Sequence, residues 1–178
     1  KRIAYAIILS ITLTACSDTP PVPKESIATA HQPSDSLHAA AQDNDIPRLE
    51  ALWEADHPLD ALDETGRTPL HAAIQAQQPQ AVQWLLKYKA DPYGATSPLD
   101  PPLSQAILIA AQTQGHTESR TTAFAIITLL IQHGVNPATH HNNTLSPIQL
   151  AMANDCEACI EHIREVSMSR AIVLTSGH

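Results

Sequence analysis

Residues 63–73 read Asp63-Glu64-Thr65-Gly66-Arg67-Thr68-Pro69-Leu70-His71-Ala72-Ala73. Gly66 supplies a turn residue that can adopt φ above zero, and Pro69 suits the first turn of a helix, where its missing N–H leaves nothing unpaired. The pattern predicts a tight turn leading into a helix. It also recurs. Leu37-His38-Ala39-Ala40 stands 33 residues before Leu70-His71-Ala72-Ala73, and Pro102-Leu103-Ser104-Gln105-Ala106-Ile107 stands 33 residues after Pro69-Leu70-His71-Ala72-Ala73-Ile74. A fourth copy, Ser146-Pro147-Ile148-Gln149-Leu150-Ala151, follows after 45 residues, a period lengthened by 12. Later in each unit Leu52-Trp53, Leu85-Leu86, Leu130-Ile131 and Ile163-Arg164 keep the same step.

A period of 33 with a Thr-Pro-Leu-His-x-Ala opening resembles the ankyrin repeat family. The second unit carries the fullest match, continuing through Val82-x-x-Leu85-Leu86 and Ala90-Asp91, and the third closes on Gly134-Val135-Asn136. The resemblance implies an all-α solenoid of about four helix-turn-helix repeats, with antiparallel helix pairs and β-hairpin fingers over 60–67, 93–100 and 138–145. Repeats are expected over 35–66, 67–99, 100–144 and 145–170. Three positions depart from the family pattern. Lys89 stands where a helix-ending glycine is usual, Gln77-Gln78 replace the Gly-His between the helices, and Ser97 to Pro102 contains no glycine.

Composition agrees with close helix stacking: 43% of residues are apolar but only 3% aromatic, so small and aliphatic side chains must fill the interior. Each repeat of a solenoid buries its face only against its neighbours, and at least three are needed for stability. The formal charge of −8 argues against a nucleic-acid partner, because phosphate binding needs clustered Lys and Arg.

The chain starts at Lys1 rather than at a methionine, and its native start is expected just upstream. Lys1-Arg2 precede an apolar run from Ile3 to Ala15, too short for a bilayer span and of the size of a signal-peptide core. The run ends Leu13-Thr14-Ala15-Cys16, which resembles a bacterial lipobox. That likeness implies cleavage before Cys16, acylation of its thiol with chains such as palmitate, and a lipid anchor. An ordinary signal peptide with an incidental cysteine is the other reading. Ser17 after the cysteine points to the outer membrane, so the expected location is the periplasmic face of a bacterial cell envelope. Residues 16–34 hold Pro20, Pro21, Pro23 and Pro33 without apolar periodicity, a semi-extended tether between the signal peptide (1–15) and the repeat domain (35–170). Residues 171–178 read as a C-terminal tail.

In the first repeat, Asp35 or Ser36 is expected to cap the helix carrying Leu37, Ala40 and Ala41, and Trp53 is expected in the core. In the third, polar residues Gln112 to Thr122, including Gly115, are expected to form an added loop between the two helices. Such a loop is tolerated at small entropic cost, about 0.6 kcal/mol per doubling of length, and it is also a place for a partner-specific contact. In the fourth, Cys156 and Cys159 fall at the inter-helix turn and the next helix start. A short disulfide, two buried thiols, or a redox pair are the readings.

His38 and His71 take the structural histidine position of the resembled family, and adjacent His140 and His141 make a poor metal set. Neither His-Glu-x-x-His nor Gly-x-Ser-x-Gly occurs, and five glycines leave little material for a phosphate loop. The expectation is a non-enzyme with no cofactor and no metal. Ankyrin domains bind proteins through the fingers and the concave inner-helix face. The resemblance therefore implies Leu62, Glu64, Thr65 and Arg67 in one finger, Tyr93, Thr96, Ser97 and Asp100 in the next, His140, His141 and Asn142 in the third, and Gln75 and Ala76 on an inner helix. The expected function is a protein-binding module, monomeric before complex formation, acting as an inhibitor or immunity protein or as a scaffold, with an acidic surface suited to a basic partner. The competing reading is a redox or metal-handling factor built on Cys156, Cys159 and the histidines.

Overall fold

The computed structural model describes residues 36–94, 98–113, 116–140 and 145–175, with side chains to residue 171. The signal peptide, Cys16 and the tether lie outside the described residues. Helices come in pairs: α1 (Leu37–Gln42) with α2 (Ile46–Glu54), α3 (Pro69–Gln75) with α4 (Pro79–Lys87), α5 (Pro102–Gln112) with α6 (Thr117–Gln132), and α7 (Pro147–Ala153) with α8 (Glu157–Thr175). The first helices of the pairs stack in one row, α1 on α3 on α5 on α7, and the second helices in another, α2 on α4 on α6 on α8. Pairs touch only neighbouring pairs, the one-dimensional order of a repeat solenoid.

Local sequence explains each start. Thr68 and Ser146 close capping boxes with His71 and Gln149, each with proline at the first helical position. Ser36 accepts from the Ala39 N–H at 3.2 Å, and Asp45 from the Arg48 N–H at 3.2 Å. Helix α4 has no cap of its own. Asn44, one repeat earlier, accepts from the Ala81 N–H at 3.0 Å and supplies it.

One apolar cluster runs from Leu37 through Leu49, Leu70, Leu85, Ile107 and Leu130 to Val166. The first-row helices approach closely because Ala40, Ala41, Ala73, Ala106, Ala110 and Ala151, all without accessible surface, stand at their contacts. The backbone repeats as well. The inter-helix turns place Asn44, Gln77 and Asp155 at φ of 56, 54 and 50°, and the ends of the second helices place Asp56, Lys89 and Gly134 at 60, 73 and 107°. Lys89 therefore takes the conformation for which glycine is usual.

Three expectations need correcting. The inserted residues do not form a loop of their own. Relative to α3 and α4, α5 is longer by four residues, α6 by seven, and the turn between them by one. Residues 117–122 contain no proline or glycine, and their polarity reflects a helix end in solvent. Threonine hydroxyls there bond back to the helix carbonyls, Thr121 to Thr117 at 2.7 Å and Thr122 to Glu118 at 3.0 Å. Trp53, expected in the core, is 40% exposed. Its indole packs at 4.5 Å between ring centroids on Tyr88, the residue that caps α4, which packs at 4.4 Å on Trp84, so the neighbour covers one side and leaves the other in water.

The β-hairpin arm over 60–67 is the third; those over 93–100 and 138–145 include residues 95–97 and 141–144, which lie outside the described residues. No strand occurs among the described residues. The 60–67 loop is a turn closed by the Asp63 N–H to the Arg67 carbonyl at 2.9 Å and the Gly66 N–H to the Asp63 carbonyl at 3.0 Å. The Asp63 carboxylate takes the Thr65 and Arg67 N–H groups, donors that a ladder would need.

Candidate protein-binding surface

The first-row helices contain no Asp, Glu, Lys or Arg at all. What they show to solvent is neutral: Gln42, Gln75, Gln112, Gln149 and Met152. The described basic side chains Arg48, Lys87, Lys89, Arg120, Arg164 and Arg170 belong to the second-row helices or directly follow them. Arg67 is the exception. The loops that join the first two pairs to their successors carry Asp56, Asp60, Asp63, Glu64, Asp91 and Asp100 against Arg67 and Lys89. Each of the three joining loops also carries an exposed leucine: Leu62 (45%), Leu99 (40%) and Leu145 (50%).

Asp63 organises the first loop. Its Oδ1 accepts from the Thr65 N–H at 2.8 Å, the Thr65 hydroxyl at 2.7 Å and the Arg67 N–H at 2.9 Å, while its Oδ2 pairs with Arg67 Nε at 2.8 Å. Partial burial pushes this carboxyl up, but the bonds from Thr65 and Arg67 outweigh it and hold Asp63 well below the usual carboxylate range. Arg67 Nη1 donates to Gln75 Oε1 at 2.6 Å. Loop and helix are thereby one rigid piece, from which Leu62 and Glu64 project.

Histidines join each repeat to the next. His38 Nε2–H donates to the Arg67 carbonyl at 2.9 Å, and His71 Nε2–H donates to the Asp100 carbonyl at 3.1 Å, the same bond one repeat on. The Thr68 hydroxyl donates to His71 Nδ1 at 2.8 Å. Burial lowers the His71 pKa, outweighing the opposing pull of the Asp100 carbonyl, and keeps the ring neutral. Gly94 lies over this imidazole: at φ of +61°, a Cβ there would stand 2.7 Å from His71 Cε1. Further along, His162 stacks on Phe124 at 4.6 Å and bonds the Thr128 hydroxyl at 2.9 Å.

The residues expected at the surface divide accordingly. Leu62, Glu64, Thr65, Gln75, Asp100 and His140 are exposed, and Ala76 is half-buried. Thr65 and Arg67 are bound into the Asp63 network. Half-buried Tyr93 packs on the core, and its hydroxyl donates to the Gly134 carbonyl at 3.1 Å, so it braces two repeats. Thr96, Ser97, His141 and Asn142 lie outside the described residues. Leu99, Leu145 and Met152 were not among the expected residues. They were overlooked because apolar side chains in a helical repeat read first as core.

Between the start of α1 and the 60–67 loop runs an open groove of about 690 Å³, with Leu37, Ala39, Pro58, Ala61 and Leu62 along it and Gln42 and Glu64 beside it. At the other end, Cys156 and Cys159 are joined by a disulfide and are 3% and 0% exposed. A sulfur so buried is out of reach of an attacking thiolate, which removes support from a redox role. Among the described residues no three His, Cys, Asp or Glu side chains group as a metal site, and no helix is long and apolar enough to cross a membrane.

The architecture defines an all-α repeat solenoid of ankyrin type. The family model for ankyrin repeats (3 copies) matches residues 22–96, and the pairs α5/α6 and α7/α8 continue the same stacking beyond it. No curated protein matches the chain. Ankyrin repeats are in general protein-interaction modules without catalytic activity.

Proposed function

We propose that this protein is a lipid-anchored binding module of the bacterial cell envelope, which captures a partner protein on the first-row helices and the joining loops, as an inhibitor or immunity protein or as a scaffold. The observation that carries the binding face is the division of charge. A row of helices free of ionised side chains costs little to desolvate, whereas every buried unpaired charge would cost several kcal/mol (about 3–5 when a pair is broken). Exposed Leu62, Leu99, Leu145 and Met152 add apolar area where contact would be made. The anchor rests on Leu13-Thr14-Ala15-Cys16 and the proline-rich residues that follow.

Two measurements test the reading. A crosslinked pull-down from native envelopes should recover one partner in near-equal amount and lose it on Leu99→Asp with Met152→Asp. Recovery of nothing specific from a cell that makes the protein would reject it. Mass spectrometry of the mature N-terminus should find an acylated Cys16, and Cys16→Ser should release the protein from the membrane fraction; an unmodified cysteine would remove the anchor.

A further inference from the structure

The groove beside the first loop has a composition that selects its occupant. Leu37, Ala39, Pro58, Ala61 and Leu62 supply its apolar wall, polar side chains including His38, His57 and Asp63 supply the rest, and at its edge stands Glu64, exposed and without a hydrogen bond or ion pair. Arg67, the basic side chain at the groove, is already committed to Asp63 and Gln75. Of the two carboxylates that line the groove, Asp63 is paired with Arg67, which leaves the charge of Glu64 uncompensated, and α1 and α3 bring no Asp, Glu, Lys or Arg. The uncompensated charge at the groove's edge is therefore the carboxylate of Glu64. An apolar wall ending at an unpaired carboxylate is the complement of a long aliphatic stem with a cationic head, the shape of arginine or lysine.

We infer that this groove receives a basic segment of the partner protein, one Arg or Lys stem lying along Ala61 and Leu62 with its head at Glu64. The inference rests on the protein-binding reading above and specifies the partner's chemistry. Phosphate-bearing and acidic partners are repelled at the same place.

The test uses the whole mature chain and three labelled dodecapeptides, identical except that every third residue is arginine, glutamine or glutamate. Fluorescence anisotropy at physiological salt should show binding of the arginine peptide alone. Glu64→Lys should weaken it about tenfold. Leu62→Asp should weaken it about tenfold as well, although it adds negative charge, because the stem loses its apolar wall. Glu118→Lys, the same charge change on exposed α6, should leave it unchanged. Both groove variants alter exposed side chains, and unchanged thermal unfolding verifies that they fold. Equal binding of all three peptides, no binding of the arginine peptide, or equal loss with Glu118→Lys overturns the inference. Binding of the glutamine or glutamate peptide that Leu62→Asp removes also overturns it, while leaving the protein-binding reading to the envelope pull-down.

Discussion

Replacing Lys89 with glycine should stabilise the protein. Lys89 ends α4 at φ of +73°, in the left-handed region, where an L side chain brings Cβ against the following carbonyl at a cost of about 1–2 kcal/mol. The Lys89 side chain is exposed and makes no hydrogen bond or ion pair, so little is lost with it beyond about 0.3–0.5 kcal/mol from a cation near a helix C-terminus. Glycine returns part of the gain, about 0.5–1 kcal/mol, through the greater freedom of its unfolded backbone. These ranges sum to between a loss of about 0.5 and a gain of about 1.2 kcal/mol, centred on a small gain of about 0.4 kcal/mol. Gly134, the equivalent residue of the next repeat, provides the reverse experiment. Its φ is +107°, and a Cβ there would meet only Arg170 Nη2 at 3.5 Å, an ordinary contact, so Gly134→Ala sets about 1–2 kcal/mol of backbone strain against about 0.5–1 kcal/mol recovered from a stiffer unfolded chain, a net cost of up to about 1.5 kcal/mol. Urea titration followed by the fluorescence of Trp84, which is buried, reads both changes as shifts in midpoint at constant slope. A loss of more than about 0.5 kcal/mol for Lys89→Gly, or a raised midpoint for Gly134→Ala, would refute the claim that this turn conformation limits stability.

Gly94→Ala should destabilise by about 2–3 kcal/mol, since its Cβ would stand 2.7 Å from a buried imidazole at φ of +61°; a urea midpoint near wild type would show that the ring gives way. Stability should depend on pH in two windows. His71 has a folded pKa below its ordinary 6.5, so the unfolded chain takes up the proton first, and stability present above pH 6.5 declines as pH falls through it. Asp63 has a folded pKa below its ordinary 3.8, so its contribution is complete above that value and is lost as pH falls further; Asp63→Asn should flatten the acid limb of a thermal-melt series and leave the neutral limb. Reducing the Cys156–Cys159 disulfide, which closes a loop with a sequence separation of 3, should cost about 2 kcal/mol by loop entropy, measured as the urea midpoint with and without reductant.

The lesson of particular residues is that local chemistry was legible and distant neighbours were not. Thr68-Pro69, Ser146-Pro147, Gly66 and the 33-residue period specify caps, turns and repeat through interactions within a few residues, and these predicted the all-α solenoid and the eight helices seen among the described residues. The surface divided differently. Leu62 and Glu64 project from the first loop as expected, whereas Tyr93 is taken up by the Gly134 carbonyl and Arg67 by Asp63 and Gln75.

Sequence alone establishes where the chain turns, where its helices begin, how often the unit recurs and what net charge it carries, because each of these depends on neighbours within about one helical turn or on simple counting. Only the folded arrangement settles that the inserted residues lengthen α5 and α6, that Trp53 stands half in water on Tyr88, that Asn44 caps a helix one repeat away, and that a groove opens beside Glu64. Those features depend on residues about a full repeat apart in the chain, and burial is a property of what packs against a side chain, which its own sequence neighbourhood does not contain.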